Sequence, residues 1–124
     1  MHPDSIIDAR LYRPFADRLV IENLDARKAD GRSVAELERC FASLPEARFC
    51  LDVAHSASIK DQPGLDLALL ERFSAQLSHV HISSLDAELH HIPLQPEDEE
   101  RFAAALSRCR EVPWILESAP VAGP

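Results

Sequence analysis

Four residues with metal-ligand side chains close four short apolar segments of the sequence: Glu22, Asp52, His81 and Glu117. Their positions differ by 30, 29 and 36 residues, about the length of one strand-plus-helix unit. The same place in each unit therefore carries a carboxylate or an imidazole. Three carboxylates and an imidazole that converge would repel one another unless a cation lay between them. The spacing thus predicts a divalent metal site, and an oxygen-rich set with one nitrogen suits Mn, Mg, Co or Zn.

Each of these residues taken alone has a simpler interpretation. A single Glu or Asp at a strand end is most often a helix cap or a surface charge. Only the recurrence of a ligand-type residue at the end of all four segments favours a metal site. His79 and His81 alternate along one segment and so share a strand face; we assign the ligand role to His81, which lies nearer the end. His79 and His90 are interpreted as surface or partly buried imidazoles, and Cys50 as a small core residue.

The elements that must position these side chains follow from hydrophobic periodicity. Segments 18–23, 47–53, 78–83 and 113–118 have the length and composition of strands. Apolar residues at helical spacing predict helices over 4–15, 33–44 and 65–77, and a fourth that begins at Pro96. Ser33 and Glu36 form a capping-box pattern. Strands that alternate with helices predict an α/β fold with a parallel sheet, and active sites of such folds form at the carboxyl ends of the strands.

The predicted core combines the interiors of the strands with the apolar faces of the helices. Its members are Val20, Cys50, Leu51, Val80, Ile82 and Ile115 from the strands, and Leu37, Phe41, Leu69, Phe73, Phe102 and Leu106 from the helices. The acidic run 97–100 is interpreted as the solvated first turn of its helix.

Composition narrows the class of protein. The chain has 124 residues, of which 46% are apolar and 27% charged, which is typical of one globular domain. Its three glycines, Gly31, Gly64 and Gly123, are too far apart to build a dinucleotide turn or a Walker phosphate loop. A net charge of -8 argues against nonspecific binding to nucleic acid or to an anionic membrane.

The same composition predicts a cytoplasmic protein. Three cysteines without metal-knuckle spacing fit reduced thiols. Residues 1–5, which include the acidic Asp4, do not resemble a signal peptide. No apolar run approaches the roughly 18 residues of a membrane span.

The ordered motifs resemble the xylose isomerase-like TIM-barrel superfamily, which contains sugar and sugar-phosphate isomerases and epimerases and the apurinic endonuclease IV group. The segments that carry the resemblance are His2-Pro3, Leu19-Val-Ile-Glu-Asn23, Leu51-Asp-Val-Ala-His55, His81-Ile-Ser83, His91-Ile-Pro-Leu94 and Ile115-Leu-Glu117. They match only the carboxyl-terminal half of that fold, from the tip of its fourth strand to its eighth. The resemblance implies that residues 1–124 form a single partial (half) TIM barrel of about four strands and four helices.

The resemblance also implies roles for individual residues. Glu22 and Glu117 correspond to the paired carboxylates that bind the metal and shuttle protons, and Asp52 and His81 to the remaining two ligands. Asn23 and His55 correspond to substrate-binding positions. The residues that would bind additional metal ions, as in the multi-zinc nucleases, are His2, His55 and His91.

Three functions are compatible with these residues. The first is a divalent-metal isomerase or epimerase that acts on a small sugar-like substrate by proton transfer between paired glutamates. The second is a non-catalytic half-barrel remnant or assembly subunit. The third is an endonuclease IV-like nuclease, which ranks last because the chain is acidic and has Leu89 where the nucleases place an aspartate. Asp86 and Glu88 replace an arginine frequent in the family, and Gln95-Pro96-Glu97 replaces a glycine-rich turn.

Four strands of a barrel leave two open edges, which invite pairing with another chain. We therefore expect a homodimer or a complementing chain that supplies the other half.

Overall fold

A four-stranded parallel sheet forms the centre of the chain, whose residues 1–118 are described by a computed structural model. The strands of this sheet run in the order β1-β2-β3-β6. A two-residue pair, β4 and β5, forms a separate antiparallel hairpin. The strands are β1 (Val20–Glu22), β2 (Arg48–Asp52), β3 (Leu77–Ile82), β4 (Ser84–Leu85), β5 (His91–Ile92) and β6 (Trp114–Leu116). The helices are α1 (Val34–Ser43), α2 (Val53–Ser58), α3 (Leu65–Phe73) and α4 (Pro96–Ser107).

The predicted α/β class with a parallel sheet is confirmed. Strands β1, β2 and β6 fall within predicted segments, and β3 overlaps its segment but begins one residue earlier, at Leu77. The partial barrel stays a prediction, because the sheet formed by residues 1–118 is open and does not close on itself. Every helix in this part of the chain is too short or too polar to reach across a lipid bilayer.

Local sequence explains where the helices begin. The hydroxyl of Ser33 accepts a hydrogen bond from the Glu36 amide at 3.2 Å, and the Glu36 carboxylate accepts one from the Ser33 amide at 3.1 Å. This is the predicted capping box of α1. Helix α4 begins at Pro96, as predicted. Its acidic first turn is only partly solvated, however, because Asp98 is buried and accepts a hydrogen bond from the Gln95 amide at 2.8 Å.

The helices cover one face of the sheet and bury its apolar side chains. Phe49 of β2 packs against Phe41 of α1 and Phe73 of α3, with ring centroids 6.2 and 5.5 Å away. The predicted core positions on these elements are buried, namely Leu37, Phe41, Cys50, Leu51, Leu69, Phe73, Val80, Ile82 and Phe102. The opposite face of the sheet carries the polar residues of the strand ends.

Three predicted core residues are less buried than expected. Ile115 is 45% exposed, and its neighbours Trp114 and Leu116 are exposed as well. Among residues 1–118, strand β6 pairs only with β3, so within this part of the chain its other edge has no strand partner. Val20 and Leu106 are half-buried.

The predicted helix over residues 4–15 is wrong. Three short 3-10 turns occupy this region, Pro3–Ser5, Ala9–Leu11 and Arg13–Arg18. The Asp8 carboxylate accepts a hydrogen bond from the Arg10 amide at 3.0 Å while Asp8 itself is extended, which interrupts any continuous helix. Pro14 has no amide hydrogen to donate to a preceding turn. As a result Ile7 and Leu11 are exposed instead of facing inward.

Candidate metal centre

The carboxyl ends of the four parallel strands bring the predicted ligands together. Glu22 ends β1, Asp52 ends β2, His81 is the penultimate residue of β3, and Glu117 directly follows β6. One ligand atom from each of these four lies within 4.8 Å of the others. We call these four residues the carboxylate centre. Their convergence agrees with the prediction from spacing, whereas their roles as ligands and catalytic groups stay predictions.

His81 lies between the two glutamates of the carboxylate centre. Its Nδ1 is 2.8 Å from Glu22 Oε2 and 3.0 Å from Glu117 Oε2. One N–H cannot serve both oxygens well, and the bond to Glu22 is the shorter one. Glu117 Oε2 is therefore buried without a hydrogen bond among the described residues. The other oxygen of Glu22, Oε1, is 2.7 Å from Nε2 of His2.

Asp52 is fully buried and also has an unpartnered oxygen. Its Oδ1 accepts a hydrogen bond from the His55 amide at 2.9 Å and so caps α2. Its Oδ2 is buried and has no hydrogen-bond partner within residues 1–118. Buried polar atoms are nearly always paired, so two unpaired carboxylate oxygens in one cluster require an explanation. A bound cation between Asp52 and Glu117 would supply it.

The charges of the carboxylate centre perturb one another. Burial alone would raise the pKa of Glu22, but the hydrogen bond from His81 and the charges of nearby histidines lower it to about 2. Burial raises the pKa of Asp52, and the neighbouring Glu22 and Glu117 raise it further. The hydrogen bond to Glu22 raises the pKa of His81. Three carboxylates with His81 between them and His2 beside Glu22 are therefore short of positive charge.

Asn23 fixes the position of Asp52. Its side-chain Nδ2 donates to the Asp52 carbonyl at 3.0 Å, and its Oδ1 accepts from the Asp52 amide at 2.8 Å. Both polar atoms of this fully buried side chain thus tie β1 to β2. The substrate contact that the resemblance implies for Asn23 stays a prediction.

His55 and His91 lie beside the carboxylate centre and face each other. His55 Nδ1 donates to the Asn23 carbonyl at 2.8 Å, which leaves His55 Nε2 as an acceptor 3.2 Å from His91 Nε2. The Ser83 hydroxyl lies 2.7 Å from His91 Nδ1. These distances fit one relay in which Ser83 donates to His91 and His91 donates to His55. Asp52, His55 and His91 also form a group able to hold a cation.

Two residues of this region were not predicted from the sequence. Asp25 is buried, with Oδ2 3.9 Å from His55 Nε2, and Arg27 binds both of its oxygens, at 3.1 and 2.8 Å. Ser83 is buried next to His91. Asp25 follows the end of β1 by three residues, so the strand-end rule could have included it. His79, interpreted from the sequence as a surface or partly buried imidazole, is half-buried on the same face as His81.

Comparisons with known proteins identify no relative, since no family model, no curated protein and no solved structure matches the chain. The resemblance to the xylose isomerase-like superfamily therefore stays a prediction from the ordered motifs alone.

Proposed function

We propose that this chain is a divalent-metal-dependent isomerase or epimerase of the xylose isomerase-like type, acting on a small sugar-like substrate. The observation that carries the proposal is the carboxylate centre: four ligand-type side chains from four successive strands, with two buried carboxylate oxygens that lack partners.

The residues present fit a divalent cation. Glu22, Asp52, His81 and Glu117 would hold it through carboxylate oxygens and one imidazole nitrogen, which suits Mn, Mg, Co or Zn. Such a cation supplies Lewis-acid polarisation of a substrate carbonyl. Its charge would also offset the mutual repulsion of three carboxylates, of which Asp52 is fully buried.

Proton transfer would be carried out by the two glutamates. Glu22 is ionised at neutral pH, as a group must be to accept a proton from the carbon next to a carbonyl, and its lowered pKa makes it a weaker base than an ordinary glutamate. Glu117 lies on the other side of His81 and is half-exposed, so substrate can approach it. For the protons to balance, Glu117 would start protonated and donate to the opposite face or to the adjacent carbon, giving an epimer or an isomer, while Glu22 ends protonated.

Metal analysis of the purified protein tests the centre. We expect about one equivalent of Mn²⁺ or Zn²⁺ after reconstitution, and loss of Mn²⁺ in Glu22→Ala and His81→Ala. Asp61→Asn is the matched control, because Asp61 is exposed and belongs to none of the groups of ligand-type side chains among residues 1–118. A folded protein that binds neither ion at neutral pH would overturn the proposal.

Solvent exchange tests the chemistry separately from the binding. The metal-loaded protein is incubated with a panel of small aldoses and ketoses in D2O, and deuterium at the carbon next to the carbonyl is followed by NMR. We expect exchange that Glu117→Gln abolishes. Metal binding without exchange on any member of the panel would favour the non-catalytic remnant instead.

A multi-metal phosphodiesterase is the second candidate, favoured by the group Asp52, His55 and His91. The 3.2 Å distance between the Nε2 atoms of the two histidines would let both turn to one further cation. Two or more zinc equivalents, with cleavage of abasic-site DNA, would establish this function in place of the first.

We also propose that the chain works with a second copy of itself or with a complementing chain. The outer edge of β1 is already engaged: the amino group of Met1 donates to the Val20 carbonyl at 2.6 Å, and the Glu22 amide donates to the Met1 carbonyl at 3.0 Å. The outer edge of β6 is open and its residues are exposed, so β6 is the side that would meet a partner. Light scattering tests this, and a monodisperse 13.8 kDa particle with cooperative unfolding would contradict it.

The proposed location is the cytoplasm. All three cysteines, Cys40, Cys50 and Cys109, are free thiols, which fits a reducing compartment.

A further inference from the structure

A second group of ligand atoms lies on the polar face of the sheet, closer to the amino ends of the strands than Asp52. Cys50 of β2 is the parallel partner of His79 on β3, and His81 follows two residues later on the same face. One ligand atom from each of the three lies within 4.8 Å of the other two. We call Cys50, His79 and His81 the sulfur position.

The strand pairing explains why these three side chains meet. Residues two apart on one strand point to the same face, and paired residues of neighbouring strands lie side by side. The register between β2 and β3 shifts at Phe49 and Cys50, and this irregularity sets Cys50 opposite His79. The rings of His79 and His81 then lie with centroids 5.0 Å apart. The group is therefore set by backbone pairing between two central strands and does not depend on a mobile loop.

We propose that the sulfur position is a zinc site distinct from the carboxylate centre. One thiolate and two imidazoles form a softer ligand set than carboxylates, and sulfur selects zinc over magnesium or manganese. Tetrahedral zinc with bonds of about 2.3 Å to sulfur and about 2.0–2.1 Å to nitrogen needs ligand atoms about 3.4–3.6 Å apart. Side-chain rotations that move the ligand atoms by about 1 Å bring them into that range from their present separations, which are within 4.8 Å.

The surroundings of the sulfur position suit an ion with one open coordination site. The Cys50 side chain is buried and its thiol forms no disulfide. Burial and the nearby carboxylates of Glu22 and Asp52 raise the pKa of this thiol, so Zn²⁺ would displace its proton on binding. His79 is half-buried and opens the position to solvent. Three protein ligands leave the fourth place of a tetrahedron to water.

His81 belongs to both groups, so the two positions are linked. A hard ion such as Mn²⁺ draws the His81 ring toward Glu22 and Glu117, whereas Zn²⁺ draws it toward Cys50 and His79. Zinc at the sulfur position is therefore expected to weaken Mn²⁺ binding at the carboxylate centre. This inference goes beyond the proposed isomerase and does not require it.

Cobalt absorption spectroscopy tests the sulfur position, because Co²⁺ replaces zinc and a thiolate bound to Co²⁺ gives a charge-transfer band in the near ultraviolet. We expect this band on addition of Co²⁺ to the full chain, and its loss on addition of Zn²⁺. Cys50→Ser should abolish the band, and His79→Ala should weaken Co²⁺ binding at least about tenfold. The matched control Cys40→Ser should keep it, because Cys40 lies on α1.

Three outcomes would overturn the inference: no band in a folded protein, a band that survives Cys50→Ser, or unchanged Co²⁺ affinity in His79→Ala. Circular dichroism shows whether each variant folds. If Cys50→Ser does not fold, His79→Ala still tests the inference, because His79 is only half-buried. Glu22→Ala separates the two proposals. It should lose Mn²⁺ but keep the cobalt band, whereas failure of the sulfur position alone would give Mn²⁺ binding to the parent chain without a cobalt band that depends on Cys50.

Discussion

Replacement of Asp52 by asparagine should make the ion-free protein more stable while weakening its metal binding. Asp52 is fully buried, and its Oδ2 has no hydrogen-bond partner among the described residues. Asparagine keeps the oxygen that accepts from the His55 amide and replaces the other oxygen with an NH2 group. That group can donate to Glu117 Oε2, the second unpartnered oxygen of the centre. The change thus removes a buried charge and pairs an orphaned acceptor.

The size of the effect follows from the cost of the unpaired groups. One buried polar atom without a partner costs about 1–3 kcal/mol, so we expect Asp52→Asn to raise the free energy of unfolding by about that amount at pH 8. For a chain of this length the melting temperature rises by about 4 °C per kcal/mol. The gain should shrink as the pH falls from 8 to 5, because burial and the two neighbouring glutamates raise the pKa of Asp52, so its native carboxyl takes up a proton at a higher pH than an unfolded aspartate does.

The assay is thermal and urea unfolding in EDTA at pH 8 and at pH 5, with Mn²⁺ binding measured by calorimetry. Mn²⁺ affinity should fall by more than the roughly 10–100-fold that is typical of losing an outer hydrogen-bond partner of a ligand. Asp61→Asn is the matched control, since Asp61 is exposed in the segment before α3. If Asp52→Asn were less stable than the parent at pH 8 in EDTA, the carboxylate would not be under electrostatic strain and the reasoning would be refuted.

Three further predictions concern the core, a helix cap and the dependence of stability on pH. Phe73→Ala should lower the free energy of unfolding by about 3–5 kcal/mol, measured with urea, because the buried ring packs 5.1 and 5.5 Å from two other phenylalanines. Ser33→Ala should cost about 1 kcal/mol in the same assay, because the hydroxyl accepts a hydrogen bond from the Glu36 amide. The ion-free protein should lose stability as the pH rises above about 6.5, the usual pKa of histidine. The raised pKa values of His81, from its hydrogen bond to Glu22, and of Asp52, from burial, mean that the native state holds protons the unfolded chain has released. Melting curves measured across this range check it, and added Mn²⁺ or Zn²⁺ should restore the lost stability.

Each of these predictions has a clear contrary result. A loss below about 1 kcal/mol in Phe73→Ala would place the ring outside the core. Unchanged stability in Ser33→Ala, against Ser107→Ala on the exposed end of α4 as control, would mean that the cap is not formed in solution. Stability that stays level or rises above pH 6.5 would mean that the bond between His81 and Glu22 is absent in solution.

The amino-acid sequence was sufficient to predict the features that depend on local rules. Glu22, Asp52, His81 and Glu117 could be placed at one edge because strands that alternate with helices run parallel and end on the same side. The start of α1 could be predicted because a capping box involves residues only three apart. The helix over residues 4–15 failed under the same kind of rule, since the Asp8 hydrogen bond outweighed the apolar spacing.

Only the tertiary structure decided how those side chains are paired and which surfaces stay open. That His81 donates to Glu22 and leaves Glu117 Oε2 without a partner depends on residues 59 positions apart along the chain. The contact of Cys50 with the β3 histidines depends on a register shift within the sheet, and the exposure of β6 depends on its having one neighbour. Residue types and spacing determine which residues of a strand share a face. Register, edge exposure and the choice of hydrogen-bond partner result from packing between distant segments.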